Sequence, residues 1–245
     1  MDGTVYLTGS RLDGLAQNLD IIASNLANAN TPGYKRTVGG FQAVLDAVGT
    51  GGTRAAWPAA VLPDWMELDT GHTDFQQGPI RRTGRPLDLA IQGDAFFEVE
   101  TAAGPRYTRK GRLHLNAQGE LTDGSGNRFA SDSGALRLPE EAEDVAVSLD
   151  GTVTAGGEEV GRIRLVEIPD LDALVSEGSC TFRNDGAAAR EAVGSRVIQG
   201  SVEESNVSPV HEMVALVNVM RAYESNARIL HRTDSLTGRL IQTAA

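Results

Sequence analysis

The chain has 245 residues, with 22 Lys and Arg against 33 Asp and Glu, and its formal net charge is −11. This acidic balance argues against nucleic acid as a partner, because phosphate binding needs a concentrated basic face. The single cysteine, Cys180, excludes an intrachain disulfide, and no run approaches the roughly 18 apolar residues of a membrane-spanning helix. We also expect no cleaved secretory signal, because the N-terminus lacks a positively charged opening.

The first predicted element is an amphipathic N-terminal helix within residues 1–30. Apolar residues at alternating steps of three and four predict one stripe along it, formed by Leu12, Leu15, Leu19, Ile22 and Leu26. Asn18 and Asn25 share a flanking heptad position, where their amides could make directional contacts. Pro32 and Gly33 predict the end of the helix, since Pro disfavours the α conformation before it and Gly permits a positive φ.

An extended linker is predicted next, over residues 31–74, where the apolar pattern loosens. Trp57 and Trp65 lie in it and are expected to dock on another part of the molecule. Its glycine clusters are not a phosphate-binding loop, because neither a preceding strand nor a following Lys-Ser or Lys-Thr pair accompanies them.

The middle of the chain, residues 75–200, predicts a β domain. Leu87, Leu89 and Ile91 alternate with polar or small residues, and Asp-Gly pairs such as the one at Asp150 favour hairpin turns. We therefore expect a mainly β fold with terminal α-helices, its central domain being a sandwich or barrel-like. On this pattern Asp88 is expected on a solvent-facing strand side, and the basic run 109–112 at a solvated strand end.

The last predicted element is a C-terminal helix within residues 201–245. Ser208 is a candidate N-cap, with Pro209 at the first helical position. The predicted stripe of this helix comprises Met213, Leu216, Met220, Tyr223 and Leu230. The first three turns are apolar around much of the circumference, which predicts burial on several sides. The two terminal helices are expected to pair as a coiled coil and to seek partners.

The sequence predicts no catalytic, cofactor-binding or metal-ligating residue. The segment 123–127 resembles the start of a calcium loop, but the twelfth position is Gly134 where a bidentate Glu is required, so a turn is expected. The four histidines have no metal-ligand spacing with Cys180. No serine lies in a Gly-x-Ser-x-Gly setting. Cys180 is expected to be a small buried residue.

Three segments, taken in order, resemble signatures of the bacterial flagellar basal-body rod and hook family. They are Ile22–Lys35, Leu87–Val99 and Gly200–Ser208, the last followed by further matches; Ala95 stands where the family pattern has Gly. The motif residues carried over are Asn25, Asn28, Thr31, Gly33, Tyr34, Asn206, Glu212 and Arg221.

The resemblance implies a structural rod subunit and not an enzyme. It implies export by the flagellar type III apparatus without a cleaved signal, and helical stacking in the periplasm with rod subunits of the same and other kinds. Terminal helices of neighbouring subunits would build an inner tube and the β domain an outer layer, so that the rod transmits motor torque for motility. No nucleic acid, membrane insertion, cofactor or small-molecule substrate is implied.

The segment Gln77–Gly84 most resembles the proximal-rod branch of the family, and the distal-rod branch is the alternative. Two other classes of function remain open at this point. A β-domain enzyme or carbohydrate-binding module would need a concave site lined by convergent polar or aromatic groups. An assembly accessory, such as an export or capping factor, could also carry terminal heptads.

Overall fold

The computed structural model describes residues 2–39, 71–132, 134–139 and 145–244, with side chains described between residues 12 and 229 of these. Trp57 and Trp65 of the predicted linker lie outside the described residues. The chain divides into two units. We call them the helical unit, made of Met1–Ala27, Thr37–Asp74 and Val207–Ala245, and the β unit, made of Asn28–Arg36 and Phe75–Asn206.

The helical unit contains two helices, α1 (Asp2–Ala27) and α2 (Pro209–Ala244), which contact each other. At 1.5 Å per residue they are about 39 Å and about 54 Å long. The start of α2 confirms the predicted Ser208-Pro209 boundary, and the carbonyl oxygen of Ser208 accepts a hydrogen bond from the Glu212 amide at 3.0 Å. A short ribbon of β1 (Arg36–Val38) and β2 (His72–Asp74) accompanies the helices.

The β unit is built around a nine-stranded sheet. Along its main path it contains β14 (Leu174–Gly178), β15 (Thr181–Asn184), β6 (Gly104–Thr108), β5 (Phe96–Thr101), β9 (Arg128–Phe129), β8 (Leu121–Thr122) and β7 (His114–Leu115). Two strands lie off this path: β13 (Leu165–Glu167) pairs with β5 and with β16 (Arg190–Glu191).

Smaller antiparallel sheets complete the unit. One has three strands, β10 (Val145–Val147), β11 (Thr152–Ala155) and β12 (Glu158–Arg162). Two are ribbons, in which β3 (Ile80–Arg82) pairs with β18 (Ser201–Glu203) and β4 (Leu89–Gln92) pairs with β17 (Arg196–Gln199). The mainly β fold with terminal helices is therefore confirmed. The described strands form no closed barrel, because the large sheet ends at β14 and β7 without pairing them.

Two apolar clusters cover opposite faces of β5. Phe97 belongs to the larger cluster and Phe96 to the smaller one, because successive side chains of a strand point to opposite faces. Phe75 and Phe182 extend the smaller cluster, with ring centroids 5.0 Å apart in an edge-to-face contact. Every described member of either cluster lies between Phe75 and Val197.

Two expectations about solvent exposure were wrong. Asp88 is fully buried, and so are Leu89, Ala90 and Ile91, because β4 is covered on both faces and alternation does not mark a solvent side there. Arg109 is also buried rather than at a solvated strand end. Cys180 is buried as expected, with a free thiol.

The segment that resembled a calcium loop is a turn, as predicted. The Asp123 carboxylate accepts hydrogen bonds from the backbone amides of Ser125 and Asn127, both at 2.8 Å, and from the Asn127 side chain at 2.9 Å. Its oxygens therefore stabilise the turn itself.

Candidate assembly site

The predicted stripe of α1 is partly covered within the helical unit. Ile22 is buried, while the other four members, Leu12, Leu15, Leu19 and Leu26, are half-buried. An amphipathic helix gains most of its stability by covering such a stripe. The stripe is therefore only partly satisfied inside one chain.

Asn25 fixes the end of α1 to the β1 ribbon. Its Nδ2 donates to the carbonyl oxygen of Thr37 at 2.8 Å, and its Oδ1 accepts from the Thr37 amide at 2.9 Å. The side-chain amide thus pairs with the strand backbone as a neighbouring strand would. A carboxylate could not replace it, because a carboxylate has no donor for the Thr37 carbonyl. The directional contact expected of this amide is confirmed.

The first half of α2 has an apolar face that is exposed in the part of the chain that the structure describes. We call Val210, Met213, Val214, Val217 and Met220 the exposed α2 face. Met213 is 53% exposed, Val214 57% and Met220 48%. Spacings of three and four residues place these side chains on one side of a helix with 3.6 residues per turn. An apolar surface of this kind commonly marks a protein–protein interaction site.

The remaining predicted α2 residues divide between covered and open positions. Glu212 is buried and Leu216 half-buried, whereas Tyr223 and Arg221 are exposed. Leu230 lies in α2, but its side chain is outside the described residues. The helix therefore has a covered side and an exposed apolar side, whereas its broadly apolar sequence predicted burial on several sides; the structure of the single chain shows burial on one side.

The β unit contains a buried charge cluster that the sequence analysis did not identify. We call it the Glu203 cluster; it consists of Lys35, Gly78, Arg109 and Glu203. The Lys35 Nζ lies 2.6 Å from Glu203 Oε1, and the two side chains are 1% and 0% exposed. The Gly78 amide donates to the same oxygen at 3.0 Å, and Arg109 Nη1 lies 3.6 Å from Oε2. One carboxylate therefore faces two cations inside the protein.

Arg109 has further support that does not involve Glu203. Its Nη1 donates to the Gly93 carbonyl oxygen at 2.7 Å, and its Cζ lies 4.6 Å from the centre of the Phe96 ring, a cation–π contact. Burial lowers the pKa of Arg109 from its usual value, while the charges of Glu203 and Asp94 oppose that shift. Arginine stays charged here, since its usual pKa is far above neutrality.

We call residues Asn28–Arg36, which follow α1, the strap. The strap lies directly on the backbone of the neighbouring segment: at Gly33, an added Cβ would come within 2.5 Å of the Lys110 nitrogen. The Gly33 amide donates to the Glu203 carbonyl oxygen at 2.8 Å, and its φ of +74° is the positive value predicted for it. Only glycine meets both requirements without strain.

Asn206 joins the strap to two other segments of the β unit. Its Oδ1 accepts from the Arg36 amide at 2.7 Å, and its Nδ2 donates to the Gln76 carbonyl oxygen at 3.2 Å. Lys35 Nζ donates to that same carbonyl oxygen at 2.7 Å. The beginning, middle and end of the chain are thereby bonded together.

The three motif segments found in the sequence meet at this place. The strap comes from the first, Gly93 and Phe96 come from the second, and Glu203 and Asn206 come from the third. Asn28, Thr31 and Tyr34 form the turn within the strap, where the Thr31 hydroxyl donates to Asn28 Oδ1 at 3.2 Å. Lys35 lies in the first motif segment and Glu203 in the third. Their positions in these segments are the sequence signal that could have identified them as functional residues.

Among the residues that the structure describes, no group of His, Cys, Asp and Glu could hold a metal ion, and none of the helices has the length and hydropathy of a membrane span. Burial raises the pKa of the Cys180 thiol, which disfavours the reactive thiolate. A surface depression on α2 is lined by Arg221, Glu224, Ser225, Arg228 and Ile229, all from one helix and none aromatic.

Three family models match the chain in order. Residues 6–35 match "Flagella basal body rod protein", residues 90–155 match "Flagellar hook protein FlgE/F/G D1 domain", and residues 198–243 match "Flagellar basal body rod FlgEFG protein C-terminal". The first and third cover the helices and the strap, and the second covers much of the large sheet.

Similar proteins match over almost their whole length. The flagellar basal-body rod protein FlgF of Caulobacter vibrioides is 37% identical over 99% of this chain and 98% of its own. FlgF of Mesorhizobium japonicum is 33% identical with the same coverage. The flagellar basal-body rod protein FlgG of Bacillus subtilis is 28% identical over 97% of both chains.

Proposed function

The chain belongs to the family of flagellar basal-body rod proteins, and we propose that it is a structural subunit of the proximal rod. The higher identity to FlgF proteins, 37% and 33%, than to the Bacillus subtilis FlgG, 28%, favours the proximal over the distal position. Its role is mechanical: it holds neighbouring subunits together so that the rod transmits motor torque.

The exposed α2 face is the observation that carries this proposal. Val210, Met213 and Val217 are exposed in a single chain although each is apolar. Covering such side chains removes apolar surface from water, at roughly 25 cal/mol per Å². The proposed partners are the terminal helices of neighbouring subunits, paired as in a coiled coil.

Contacts between different surfaces of successive subunits would extend the assembly. A contact that joins one face of a subunit to a different face of the next does not close into a dimer, and it generates a helical stack. The half-buried stripe of α1, including Leu15 and Leu19, supplies a second surface for such contacts. The β unit, which we propose to be a layered sandwich, would lie outside this helical tube.

The proposed location is the periplasmic rod of the basal body. Delivery there without a cleaved signal requires the flagellar type III export apparatus, which is the proposed transient partner. Rod subunits of the same and other kinds are the permanent ones. This role needs no cofactor or substrate, and it requires no catalytic chemistry of the chain.

Deletion of the gene, followed by complementation, tests the proposal. Cells without the chain are expected to be non-motile and to yield basal bodies with an incomplete rod, and the wild-type gene should restore both. A tagged copy should appear in purified basal bodies, in the rod segment next to the inner membrane. Motile deletion cells with complete rods, or basal bodies without the tagged chain, would contradict the proposal; a tag beyond that segment would favour the distal position.

A further inference from the structure

The strap is joined to the rest of the β unit through polar contacts. The Gly33 amide and the Lys35 side chain both bond to Glu203, and the Arg36 amide bonds to Asn206. All described members of the two apolar clusters lie between Phe75 and Val197, outside the strap. The strap therefore contributes nothing to the apolar clusters that stabilise the sheets.

The strap also has internal structure of its own. The Thr31 amide donates to the Asn28 carbonyl oxygen at 3.0 Å, and the Tyr34 amide donates to the Thr31 carbonyl oxygen at 3.2 Å. A segment that has its own turn and lies outside the apolar clusters has features of a local opening unit.

We infer that Glu203 is a latch, and that the strap opens and closes on the rest of the β unit as one piece according to whether Glu203 holds Lys35. The Glu203 carboxylate receives Lys35 and the Gly78 amide on one oxygen and faces Arg109 with the other. Removing its charge would take from two buried cations the carboxylate that both of them face, which destabilises the closed state.

The two cations do not depend equally on the latch. Arg109 keeps the Gly93 carbonyl and the Phe96 ring after Glu203 is neutralised, and both of these belong to the body of the β unit. Lys35 belongs to the strap, so its displacement moves the strap. Opening is therefore expected to be local to the strap and its neighbour around Gln76, with β5 and β6 remaining in place.

The latch controls places where the chain passes between the two units. The chain passes from one unit to the other after Arg36, after Asp74 and after Asn206. Asn206 hydrogen-bonds to Arg36 and to Gln76, which lies two residues after the second of these crossings. When the latch is closed, these three crossings are held in one hydrogen-bonded group. This inference rests on contacts within the β unit and does not depend on the proposed rod function.

Hydrogen–deuterium exchange of the full-length chain tests the inference segment by segment. Glu203→Gln is the test variant, and Glu204→Gln is the matched control, since Glu204 is the next residue, 42% exposed at its side chain, and pairs with the exposed Arg81. In Glu203→Gln, peptides covering 28–36 and 75–79 are expected to exchange about a hundredfold faster than in wild type. Peptides of β5 and β6 should be unchanged, and Glu204→Gln should match wild type throughout.

Two results would overturn the latch. One is unchanged exchange of the strap in Glu203→Gln; the other is acceleration of β5 and β6 equal to that of the strap, which would make Glu203 a general stability residue. If Glu203→Gln does not fold, Lys35→Met is tested in its place, because it removes the ammonium group that Glu203 binds and leaves Glu203 with Arg109. Faster exchange confined to 28–36 and 75–79 in Lys35→Met supports the latch, and its absence contradicts it.

Discussion

Lys35 and Glu203 are 168 residues apart in the sequence, yet Lys35 Nζ lies 2.6 Å from Glu203 Oε1 in a site closed to solvent. A contact of such long sequence separation closes a large loop, which costs chain entropy during folding. In the β3–β18 ribbon, Glu203 is also the register partner of Ile80, which is 123 residues earlier in the sequence. The β unit is therefore completed by residues from both ends of the chain.

Substitution of Gly33 by alanine should be much more costly than the same change at Gly84. Both residues have nearly the same positive φ, +74° and +73°, but an added Cβ meets the Lys110 backbone at Gly33 and nothing within 4 Å at Gly84. We expect Gly84→Ala to lose about 1 kcal/mol of unfolding free energy from the backbone alone. Gly33→Ala should lose roughly 1–3 kcal/mol more, because its Cβ forces the strap away.

Urea denaturation of both variants, followed by circular dichroism, gives this comparison. The shared φ cancels the backbone cost, so the difference between the two variants reports the steric contact alone. Equal losses of unfolding free energy in Gly33→Ala and Gly84→Ala would show that the strap does not lie on the Lys110 backbone.

Asn25→Asp should destabilise the helical unit. The change keeps the acceptor for the Thr37 amide but removes the donor to the Thr37 carbonyl, and it places a negative charge in a buried position. We expect a loss of about 1–3 kcal/mol of unfolding free energy at neutral pH. Thermal melting followed at 222 nm measures it. Asn218→Asp is the control, because residue 218 is an exposed position of α2; identical melting of the two variants would rule out the proposed role of the Asn25 amide.

Ser179→Asn should stabilise the hairpin formed by β14 and β15. The two-residue loop has positive φ at both positions, 52° at Ser179 and 63° at Cys180. Such loops favour Asn at the first position, since Asn tolerates the left-handed conformation better than Ser. A gain of about 0.5 kcal/mol is expected in urea denaturation, a magnitude typical of backbone-compatible substitutions. Ser176→Asn, in the adjoining strand, should give no gain, and a gain of the same size there would exclude the loop as the cause.

Cys180 should react slowly with iodoacetamide in the folded chain. Burial raises the pKa of its thiol, and the nearby charge of Lys110 only partly opposes this. Because the thiolate is the reactive form, the native rate should be at least about tenfold below that of the urea-unfolded chain at pH 8. The native rate should also keep rising at pH values where the unfolded rate has levelled off. A native rate that levels off at lower pH would contradict the raised pKa.

The sequence predicts the helices more completely than it predicts the charge cluster. The heptad stripes and Ser208-Pro209 locate the helices and the start of α2, because these signals are local. Pro32 and Gly33 give the end of α1 less accurately, since α1 ends at Ala27, five residues before Pro32. The burial of Asp88 and Arg109 depends on layers contributed by distant segments, so alternation along one strand gave the wrong exposure for both. The Lys35–Glu203 contact was not predicted for the same reason. Each residue lies in a motif, but no local sequence pattern indicates that the two residues meet.

Incorporation of α2 variants into purified basal bodies tests most directly whether this chain is a rod subunit that assembles through the exposed α2 face. The double variant Met213→Asp/Met220→Asp places charges on that face, and Asn218→Asp adds one charge elsewhere on the same helix. We predict that the double variant keeps wild-type circular dichroism but is absent from basal bodies of non-motile cells, while Asn218→Asp is incorporated. Wild-type amounts of the double variant in the basal bodies of motile cells would contradict the account.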